Sequence, residues 1–263
     1  MALFDYNSLK IDFINKRPYY ILKVNNFYND STYEKIKNEF PSYKELPKYN
    51  IKEYNNKFYF NSNDNLYKDI IKNKGIFNDL HESIFSNEFI DFFYKKLFFC
   101  FLRSRFSNLS SLLHLLKIPK LEVNNNSDLR SICYLKIKPI IEFSYIKNNG
   151  VVVPHTDNRN KLLSLLTYFP KYNEHENNFK KERELGTQFW YSKEKNYFNK
   201  HLKEINDHEN FEKKSKKIYK TPFEEKTLFG FIKSQYSWHS VERLVMPENY
   251  IRKSINISLL IER

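Results

Sequence analysis

The stretch VVVPHTD at residues 151–157 restricts the fold of this chain more than any other. It runs from an apolar, β-rich segment into His155 and Asp157, which are two residues apart and therefore project from the same face of a strand. Two imidazoles and one carboxylate can occupy one face of an octahedral metal ion and leave the opposite face open for chemistry. The second imidazole would come from His239, far downstream, and only a sandwiched or closed β structure brings such distant strands together.

Each of these residues also has a plainer interpretation. A His-X-Asp triplet occurs by chance, and a histidine beside a tryptophan, as in Trp238-His239-Ser240, is more often packed in a core than bound to a metal. The prediction of a metal site at His155, Asp157 and His239 therefore depends on their combination.

Short β-rich runs with turn residues between them surround this stretch. They lie at 132–137, 141–146, 151–153, 162–168, 187–191, 227–232 and 251–261, and Asn148-Asn149-Gly150 has the composition of a turn. Strands of this length and spacing favour an all-β sandwich or jelly roll.

The N-terminal half has a different pattern. Ser31-Thr32-Tyr33-Glu34 fits a capping box that opens a helix to about Phe40, after a first strand at 19–24. Residues 43–76 are polar and are predicted to be a loop with short elements. Apolar side chains then recur at helical spacing from about Leu80 to Phe106, which predicts one long buried helix.

The whole chain, 1–263, is therefore predicted to be a single domain. In it, residues 1–128 supply a strand and helices that pack on one sheet, and residues 129–263 form the β core. Two segments of the core, 171–183 and 192–222, are charged and nearly free of aliphatic side chains, which predicts mobile surface insertions. We expect them to flank the metal site as a lid that becomes ordered when substrate binds.

Composition restricts the partners and the compartment. The formal net charge is +13, but the lysines are scattered rather than clustered, so nucleic acid is not the expected partner. The two cysteines, Cys100 and Cys133, lie in apolar runs without metal-ligand spacing and suit a reducing compartment. The apolar run 89–102 is too short and too charged for a membrane span, and the N-terminus lacks the pattern of a secretory signal. These observations predict a cytoplasmic protein and leave its oligomeric state open.

The last predicted strand alternates polar and apolar side chains. The alternating sets are Arg252, Ser254, Asn256 and Ser258, and Lys253, Ile255, Ile257 and Leu259. An arginine on the inner face of a sandwich is costly unless an anion meets it, and a carboxylate can bind a guanidinium bidentately. The alternative is a polar face that points outward to solvent.

In these motifs the chain resembles the Fe(II)- and 2-oxoglutarate-dependent dioxygenases, most closely their prolyl 4-hydroxylase-like branch. The family pattern is His-X-Asp, a distal His, and an Arg or Lys on the final core strand with a Ser or Thr two residues later. The chain matches it with His155-Thr156-Asp157, His239 and Arg252-Lys253-Ser254. The segments 154–169 and 186–190 resemble the family's strands after the metal ligands. The interval from His239 to Arg252, 252 − 239 = 13 positions, is longer than in the family pattern.

The resemblance implies a mainly β fold with supporting helices, in which the core is a double-stranded β-helix, a cupin-like jelly roll. It implies Fe(II) bound by His155, Asp157 and His239, which together with Arg252 would be the catalytic residues. Dioxygen would be a cosubstrate, and the family allows ascorbate as an accessory reductant.

The resemblance also implies a binding site for 2-oxoglutarate. The cosubstrate would chelate the metal through its keto-acid end and pair its far carboxylate with Arg252. Tyr145, ten residues before His155, Tyr168 and Ser254 would add hydrogen bonds to it.

The substrate stays open between several classes. The family branch favours a prolyl or other peptidyl residue, and a small molecule such as an amino acid or sugar is the alternative. A nucleic-acid dealkylase of the same fold is less consistent with the last strand, because Leu259 follows Ser258 where that branch has a further Arg. A jelly roll that has lost its reaction and acts as a binding module would have no reason to keep both the metal ligands and Arg252.

Overall fold

Two β-sheets of unequal size form the body of the protein. This computed structural model describes residues 3–44, 46–47, 51–73, 75–105, 115–121, 134–172, 176–193 and 205–261. The strands are β1 (Ile11–Asn15), β2 (Ile21–Val24), β3 (Lys52–Tyr54), β4 (Lys57–Asn61), β5 (Ile118–Leu121), β6 (Tyr134–Lys147), β7 (Val152–His155), β8 (Lys161–Tyr168), β9 (Gln188–Ser192), β10 (Ser215–Lys220), β11 (Leu228–Ile232), β12 (Trp238–Val241) and β13 (Ile251–Ile261). The helices are α1 (Asp30–Glu39), α2 (Asn65–Asn73), α3 (Gly75–Ile84), α4 (Asn87–Arg105), α5 (Phe179–Arg183) and α6 (Ile205–Lys214).

The larger sheet has nine strands in the order β1-β2-β11-β8-β13-β6-β4-β3, with β5 paired to β6 off this path. The smaller sheet has four strands in the order β10-β9-β12-β7. Neighbouring strands are antiparallel, whereas β5 and β6 are parallel. The two sheets enclose a cavity that is lined by residues of both. The chain is therefore mainly β with antiparallel sheets, as the sequence predicted.

Strand β13, at the centre of the larger sheet, separates two different environments. It pairs with β6 over eleven positions on one side and with β8 on the other. Because side chains alternate along a strand, Arg252 and Ser254 face the cavity, while Ile255 and Ile257 are buried in an apolar cluster on the opposite face. The alternation predicted for this strand is thus present, and its polar side faces the interior of the sandwich.

The N-terminal helices cover the outer face of the larger sheet. Residues of α1 to α4 share one apolar cluster with the outward-facing side chains of β6, β8 and β13. Phe143 of β6 lies at its centre, with ring centroids 5.1–5.3 Å from those of Phe40, Phe60 and Phe77. Burial of each such ring stabilises the fold by roughly 1.5–3 kcal/mol. Within the described ranges, no helix has both the length and the apolar character of a membrane-spanning segment.

The single helix predicted from Leu80 to Phe106 is two helices. α3 ends at Ile84 and α4 begins at Asn87, and the Ser86 hydroxyl accepts a hydrogen bond from the N–H of Phe89. A serine side chain that satisfies a free N–H at a helix start favours a break there. The apolar spacing continues across the break, which is why the periodicity did not reveal it. Phe106 lies outside the described residues.

Residues 43–76 contain more structure than predicted. A hairpin of β3 and β4 turns at Asn55 and Asn56, whose φ angles of 50° and 59° asparagine tolerates better than most residues. Helix α2 follows the hairpin.

Upstream, the N-terminal cap of α1 is Asn29 rather than Ser31, because the Asn29 side chain accepts the hydrogen bond from the N–H of Thr32 at 2.8 Å.

The first charged insertion contacts the core through one buried carboxylate. Glu182 of α5 is only 1 % exposed and accepts hydrogen bonds from the N–H groups of Lys171 at 2.7 Å and Tyr172 at 2.8 Å. The Tyr250 hydroxyl also donates to Glu182. Charge alone did not predict that one carboxylate of the insertion is buried, and the mobility of the segment stays a prediction. Residues 173–175, including His175, lie outside the described part of the chain.

The second insertion also contributes regular structure. Phe211 of α6 packs against Trp190 and Trp238 with ring centroids 5.9 Å and 4.9 Å away, and β10 adds a strand to the smaller sheet. The described part of this insertion therefore extends the core instead of forming a loop. Residues 194–204, including His201, are not among the described residues, so the lid stays a prediction for that part.

Candidate metal centre and anion pocket

The three predicted metal ligands meet in the cavity. His155 at the end of β7 and His239 in β12 are direct partners across the smaller sheet, with ring centroids 4.1 Å apart. Asp157 follows two residues after His155, and its Oδ1 lies 4.0 Å from Nε2 of His239. One ligand atom from each of the three residues lies within 4.8 Å of the other two. Such spacing fits three donors on one face of a metal ion.

Backbone carbonyls fix both imidazoles. Nδ1 of His155 lies 2.9 Å from the carbonyl oxygen of Val153, and Nδ1 of His239 lies 3.2 Å from that of Ser237. Since a carbonyl oxygen only accepts, each Nδ1 donates its hydrogen there. Both rings are thereby held in orientation, with Nε2 as the nitrogen that would bind a metal ion.

The charge states of the three groups also suit a cation. Burial lowers the pKa of His239 to about 3, with a further contribution from the neighbouring His155, and burial likewise lowers the pKa of His155. Burial alone would raise the pKa of the Asp157 carboxyl, but the Lys161 ammonium and the two imidazoles outweigh it and hold that pKa far below its ordinary value. At neutral pH the site offers two neutral imidazoles and one carboxylate, which are the forms that bind metal.

Asp157 is held by two residues of β8 that the sequence analysis did not single out. Its Oδ2 accepts a hydrogen bond from the Ser164 hydroxyl at 2.7 Å, and its Oδ1 accepts one from the Lys161 ammonium at 2.8 Å. Ser164 could have been found from the sequence, because period-2 alternation places it on the same face of β8 as Tyr168. Nothing local indicates that Lys161 reaches back to Asp157.

Arg252 lies in the same cavity, whose volume is about 610 Å³. It is 3 % exposed, its Nε donates to the carbonyl oxygen of Leu185 at 2.7 Å, and its guanidinium carbon lies 5.0 Å from the ring centroid of Tyr168 and 4.9 Å from that of Phe223. No carboxylate of the described residues forms an ion pair with it. A buried guanidinium without an acidic partner is costly, so its cavity-facing nitrogens form a candidate site for an anion.

Ser254 also lines the cavity, one inner-face position from Arg252 on β13. It is 2 % exposed and is paired in the sheet with Tyr168 of β8. The structure therefore places Ser254 on the cavity wall near Arg252, and its role as a hydroxyl donor to an anion stays a prediction.

The Tyr168 side chain packs beside Arg252 without lining the cavity, and the predicted contact of its hydroxyl with a cosubstrate stays a prediction. The hydroxyl bonds to Oγ1 of Thr187 at 3.0 Å and to Oγ1 of Thr221 at 2.9 Å. Gly186 permits this contact, because a Cβ there would lie 1.7 Å from the carbonyl oxygen of Thr221. The sequence placed Tyr168 on the correct strand face, but the hydroxyl's partner Thr221 is 53 residues away along the chain.

Tyr145 does not belong to the site at all. Its hydroxyl donates to the carbonyl oxygen of Pro41 at 3.0 Å, and its ring packs 5.5 Å from that of Phe40 in the apolar cluster under the helices. The cavity-facing residues of β6 are even-numbered, among them Glu142 and Ser144. A shift of one residue along a strand moves a side chain to the other face. Tyr145, chosen because it lies ten residues before His155, is odd-numbered and therefore lies on the face of β6 opposite the cavity.

Comparisons with known proteins find distant similarity only in structure. No protein-family model and no curated protein sequence matches the chain. The chain is similar to the crystal structure of a prolyl-4-hydroxylase from Pseudomonas putida, with 7 % identity, 94 % of this chain and 95 % of that chain covered, and a TM-score of 0.43. It is also similar to HygX from Streptomyces hygroscopicus with nickel and 2-oxoglutarate bound, with 8 % identity, 91 % and 82 % covered, and a TM-score of 0.44.

Proposed function

We propose that this protein is an Fe(II)- and 2-oxoglutarate-dependent dioxygenase that hydroxylates an unactivated C–H bond. One observation carries the proposal: His155, Asp157 and His239 converge on the same cavity as the buried guanidinium of Arg252, which has no acidic partner among the described residues. A metal triad alone would suit many reactions, and a lone buried arginine many anions. Their combination selects a reaction that needs both a metal and a carboxylate-bearing cosubstrate.

The proposed core is a double-stranded β-helix of the jelly-roll type. Support comes from two antiparallel sheets with a ligand-sized cavity between them, and from the direct pairing of β7 with β12, which joins ligands distant in sequence. Residues 1–128 would be the supporting part of one domain and 129–263 its catalytic part.

The donor set fits Fe(II). Neutral imidazoles and a carboxylate are the ligands that non-haem Fe(II) takes in a facial arrangement with open positions. Fe(II) bound by His155, Asp157 and His239 would, with O2 and 2-oxoglutarate, supply the oxidation of a C–H bond to an alcohol while 2-oxoglutarate is converted to succinate and CO2. The residues of the chain fix the ligands and their charge states before that chemistry begins.

The anion pocket fits the far carboxylate of 2-oxoglutarate. The ring of Tyr168 lies against the Arg252 guanidinium, and the Ser164 hydroxyl donates a hydrogen bond to Asp157. These two residues are four positions apart on β8, which is about 13 Å along a strand. A short dicarboxylate that also reaches the metal suits such a separation. In this proposal Arg252 binds the carboxylate, Ser254 adds a hydroxyl donor, and the Leu185 carbonyl and the Tyr168 ring hold the guanidinium in place.

For the substrate, the resemblance of the sequence motifs favours a prolyl or other peptidyl residue. A small molecule is the second candidate, because the cavity wall beside the metal triad carries Lys57, Glu142 and Asn256 rather than apolar side chains alone. Nucleic acid remains an unfavoured partner, and a cytoplasmic location remains a prediction from the composition.

The proposal is tested by binding before turnover. The metal-free protein is titrated anaerobically with Fe(II) and then with 2-oxoglutarate by calorimetry and visible absorption, and succinate is measured after O2 is admitted. We expect 2-oxoglutarate to bind tightly only after the metal, and succinate to form slowly even without substrate. His155→Ala should abolish both, whereas His81→Ala, on α3 next to Tyr67, should not. Metal-independent binding of 2-oxoglutarate, or no succinate with the metal and cosubstrate bound, would contradict the proposal and favour a binding module.

A further inference from the structure

We infer that Glu142, Asn256 and Lys57 form a subsite that recognises the hydroxyl groups of a carbohydrate-like small molecule. The inference rests on the proposed function and takes up its second candidate, a small-molecule substrate, for the same cavity. All three side chains line that cavity, Glu142 from β6, Asn256 from β13 and Lys57 from β4.

The three side chains form one connected polar group. The Lys57 ammonium lies 2.9 Å from Oε1 of Glu142, and Nδ2 of Asn256 donates to the same oxygen at 2.8 Å. Burial would raise the pKa of the Glu142 carboxyl, but the Lys57 ammonium and the hydrogen bonds from Lys57 and Asn256 hold it below its ordinary value. Glu142 is therefore an ionised carboxylate in the wall of the cavity.

Two acceptor atoms of this group remain available to a ligand. Both hydrogen bonds to Glu142 end on Oε1, and within the described part of the chain none ends on Oε2. The Oδ1 atom of Asn256 likewise accepts no hydrogen bond from the described residues. The Lys57 ammonium supplies donors beside them, so the subsite offers acceptors and donors side by side.

The subsite lies close to the candidate metal centre. Asn256 pairs with Glu142 across β13 and β6, and the next inner-face residue of β13, Ser258, pairs with Ser164, which holds Asp157. One inner-face step along a strand is about 7 Å. A molecule bound to Glu142 would therefore place a neighbouring carbon within reach of the metal.

Stability does not explain why the ion pair is kept there. Replacement of a buried ion pair by apolar side chains is often neutral or stabilising, because both charges lose their hydration. The inner-face residues of β6 on either side of Glu142 are Ile140 and Ser144, which carry no charge. A charged pair retained among such neighbours, with acceptor atoms to spare, indicates a role in recognition.

Two aromatic rings extend the subsite. Tyr54 and Tyr59 of the β3–β4 hairpin line the cavity, and Tyr54 is 42 % exposed, which places it at the mouth. The Lys57 ammonium lies 4.7 Å from the ring centroid of Tyr59. Tyrosine combines an apolar face with a polar edge, and this suits a ligand whose C–H faces alternate with hydroxyl edges.

The chemistry of the subsite selects between substrate classes. The ring of a peptidyl proline has no N–H and would leave the Glu142 and Asn256 acceptors unmet. An ammonium group would approach the carboxylate beside the like charge of Lys57. A hydroxyl both donates and accepts, so neighbouring hydroxyls can donate to Glu142 and Asn256 and accept from Lys57. A cavity of about 610 Å³ is also in the range of small-molecule sites.

The test is direct binding to the loaded protein. The full chain with Co(II) and 2-oxoglutarate is titrated with glucose, sucrose, trehalose and myo-inositol, and with a short Gly-Pro-Gly peptide, by calorimetry and saturation-transfer NMR. We expect at least one of the four polyols to bind saturably and the peptide not to bind. Glu142→Gln should weaken polyol binding about 10-fold or more, since a hydrogen bond to a charged group is lost.

Glu53→Gln is the matched control, because Glu53 is exposed on β3 of the same hairpin and does not line the cavity. Asn256→Ala is a second variant in case Glu142→Gln does not fold, and it should also weaken binding of the polyol. Binding of the peptide alone, binding of no probe, or polyol affinity unchanged in both variants would overturn the inference. If 2-oxoglutarate binds but no polyol does, the inference alone fails; if polyols bind through Glu142 but 2-oxoglutarate does not, the proposed function fails and the subsite stands.

Discussion

The two faces of the larger sheet differ in what they contribute. The outer face is almost wholly apolar and packs Ile255 and Ile257 of β13 against the N-terminal helices. The inner face of the same strand carries Arg252, Ser254 and Asn256 into a cavity. Apolar burial stabilises a fold, whereas buried polar groups do so only when they are paired. The comparison teaches that the outer face maintains the fold and that the inner face is shaped for ligands.

The strongest test of this division is the loss of a metal ligand. His239→Ala should lower succinate formation roughly 1,000-fold or more, because the variant loses a metal ligand and a bound metal ion contributes several kcal/mol to catalysis. The variant should stay folded, since the ring lies on the cavity side and not in the helix-covered cluster. Turnover, Fe(II) affinity and thermal unfolding are measured together. A protein that unfolds in parallel with its loss of activity would show that the inner face is structural as well.

The opposite result is expected from the outer face. Ile257→Ala should lower the free energy of unfolding by about 2–5 kcal/mol, because it leaves a cavity in a packed cluster. Affinity for 2-oxoglutarate, measured at a temperature where the variant is folded, should not change. Ser258→Ala, the adjacent inner-face residue, is the matched control and should hardly affect urea unfolding. Equal destabilisation by the two variants would remove the distinction between the faces.

The anion pocket gives the next largest effect. Arg252→Gln should weaken 2-oxoglutarate binding about 100-fold, since the truncated partner of a buried charge pair typically loses 2–5 kcal/mol. Fe(II) affinity should stay near the wild-type value. Arg183→Gln serves as control, because Arg183 forms a surface ion pair with Glu224 at 3.3 Å. If both variants bound 2-oxoglutarate like the wild type, Arg252 would not be the carboxylate site.

The smallest effect is expected from the support of a ligand. Ser164→Ala removes the hydrogen bond to Oδ2 of Asp157 and should weaken Fe(II) binding about 10-fold, which is usual for partners of metal ligands. Calorimetry of the metal-free protein measures this without turnover. Thr167→Ala is a comparison on the outward-facing side of the same strand. Unchanged metal affinity in Ser164→Ala would mean that Lys161 alone orients the carboxylate.

Strand alternation, which is a local rule, accounts for part of what the sequence predicted about the candidate site. Arg252 and Ser254 share a face of β13 through their spacing of two, whereas β7 ends at His155 and Asp157 lies just beyond that strand. This alternation does not continue across a turn, so it cannot predict which face a residue on the preceding strand occupies. Tyr145 precedes the turn at Asn149, whose φ is 62°, and the interval to His155 did not determine which face Tyr145 occupies.

Other features depended on residues far apart in sequence. The Tyr168 hydroxyl is hydrogen-bonded to Thr221. The carboxylate of Glu182, in a charged insertion, is buried and accepts hydrogen bonds from Lys171, Tyr172 and Tyr250. Composition described that insertion as polar surface. Burial of one carboxylate is a property of the assembled structure and leaves no pattern in the residues around it.

By itself, the sequence determined the β-rich core, the supporting helices and the side-chain chemistry of the site, because strand alternation and helical spacing are properties of neighbouring residues. Only the tertiary structure decided that His239 lies opposite His155, that Arg252 has no acidic partner among the described residues, and which oxygens of Glu142 are occupied. These depend on strand register and on contacts between distant segments. The physical reason is that a short stretch of chain fixes the direction of a side chain, whereas its partners are fixed by the packing of the whole sandwich.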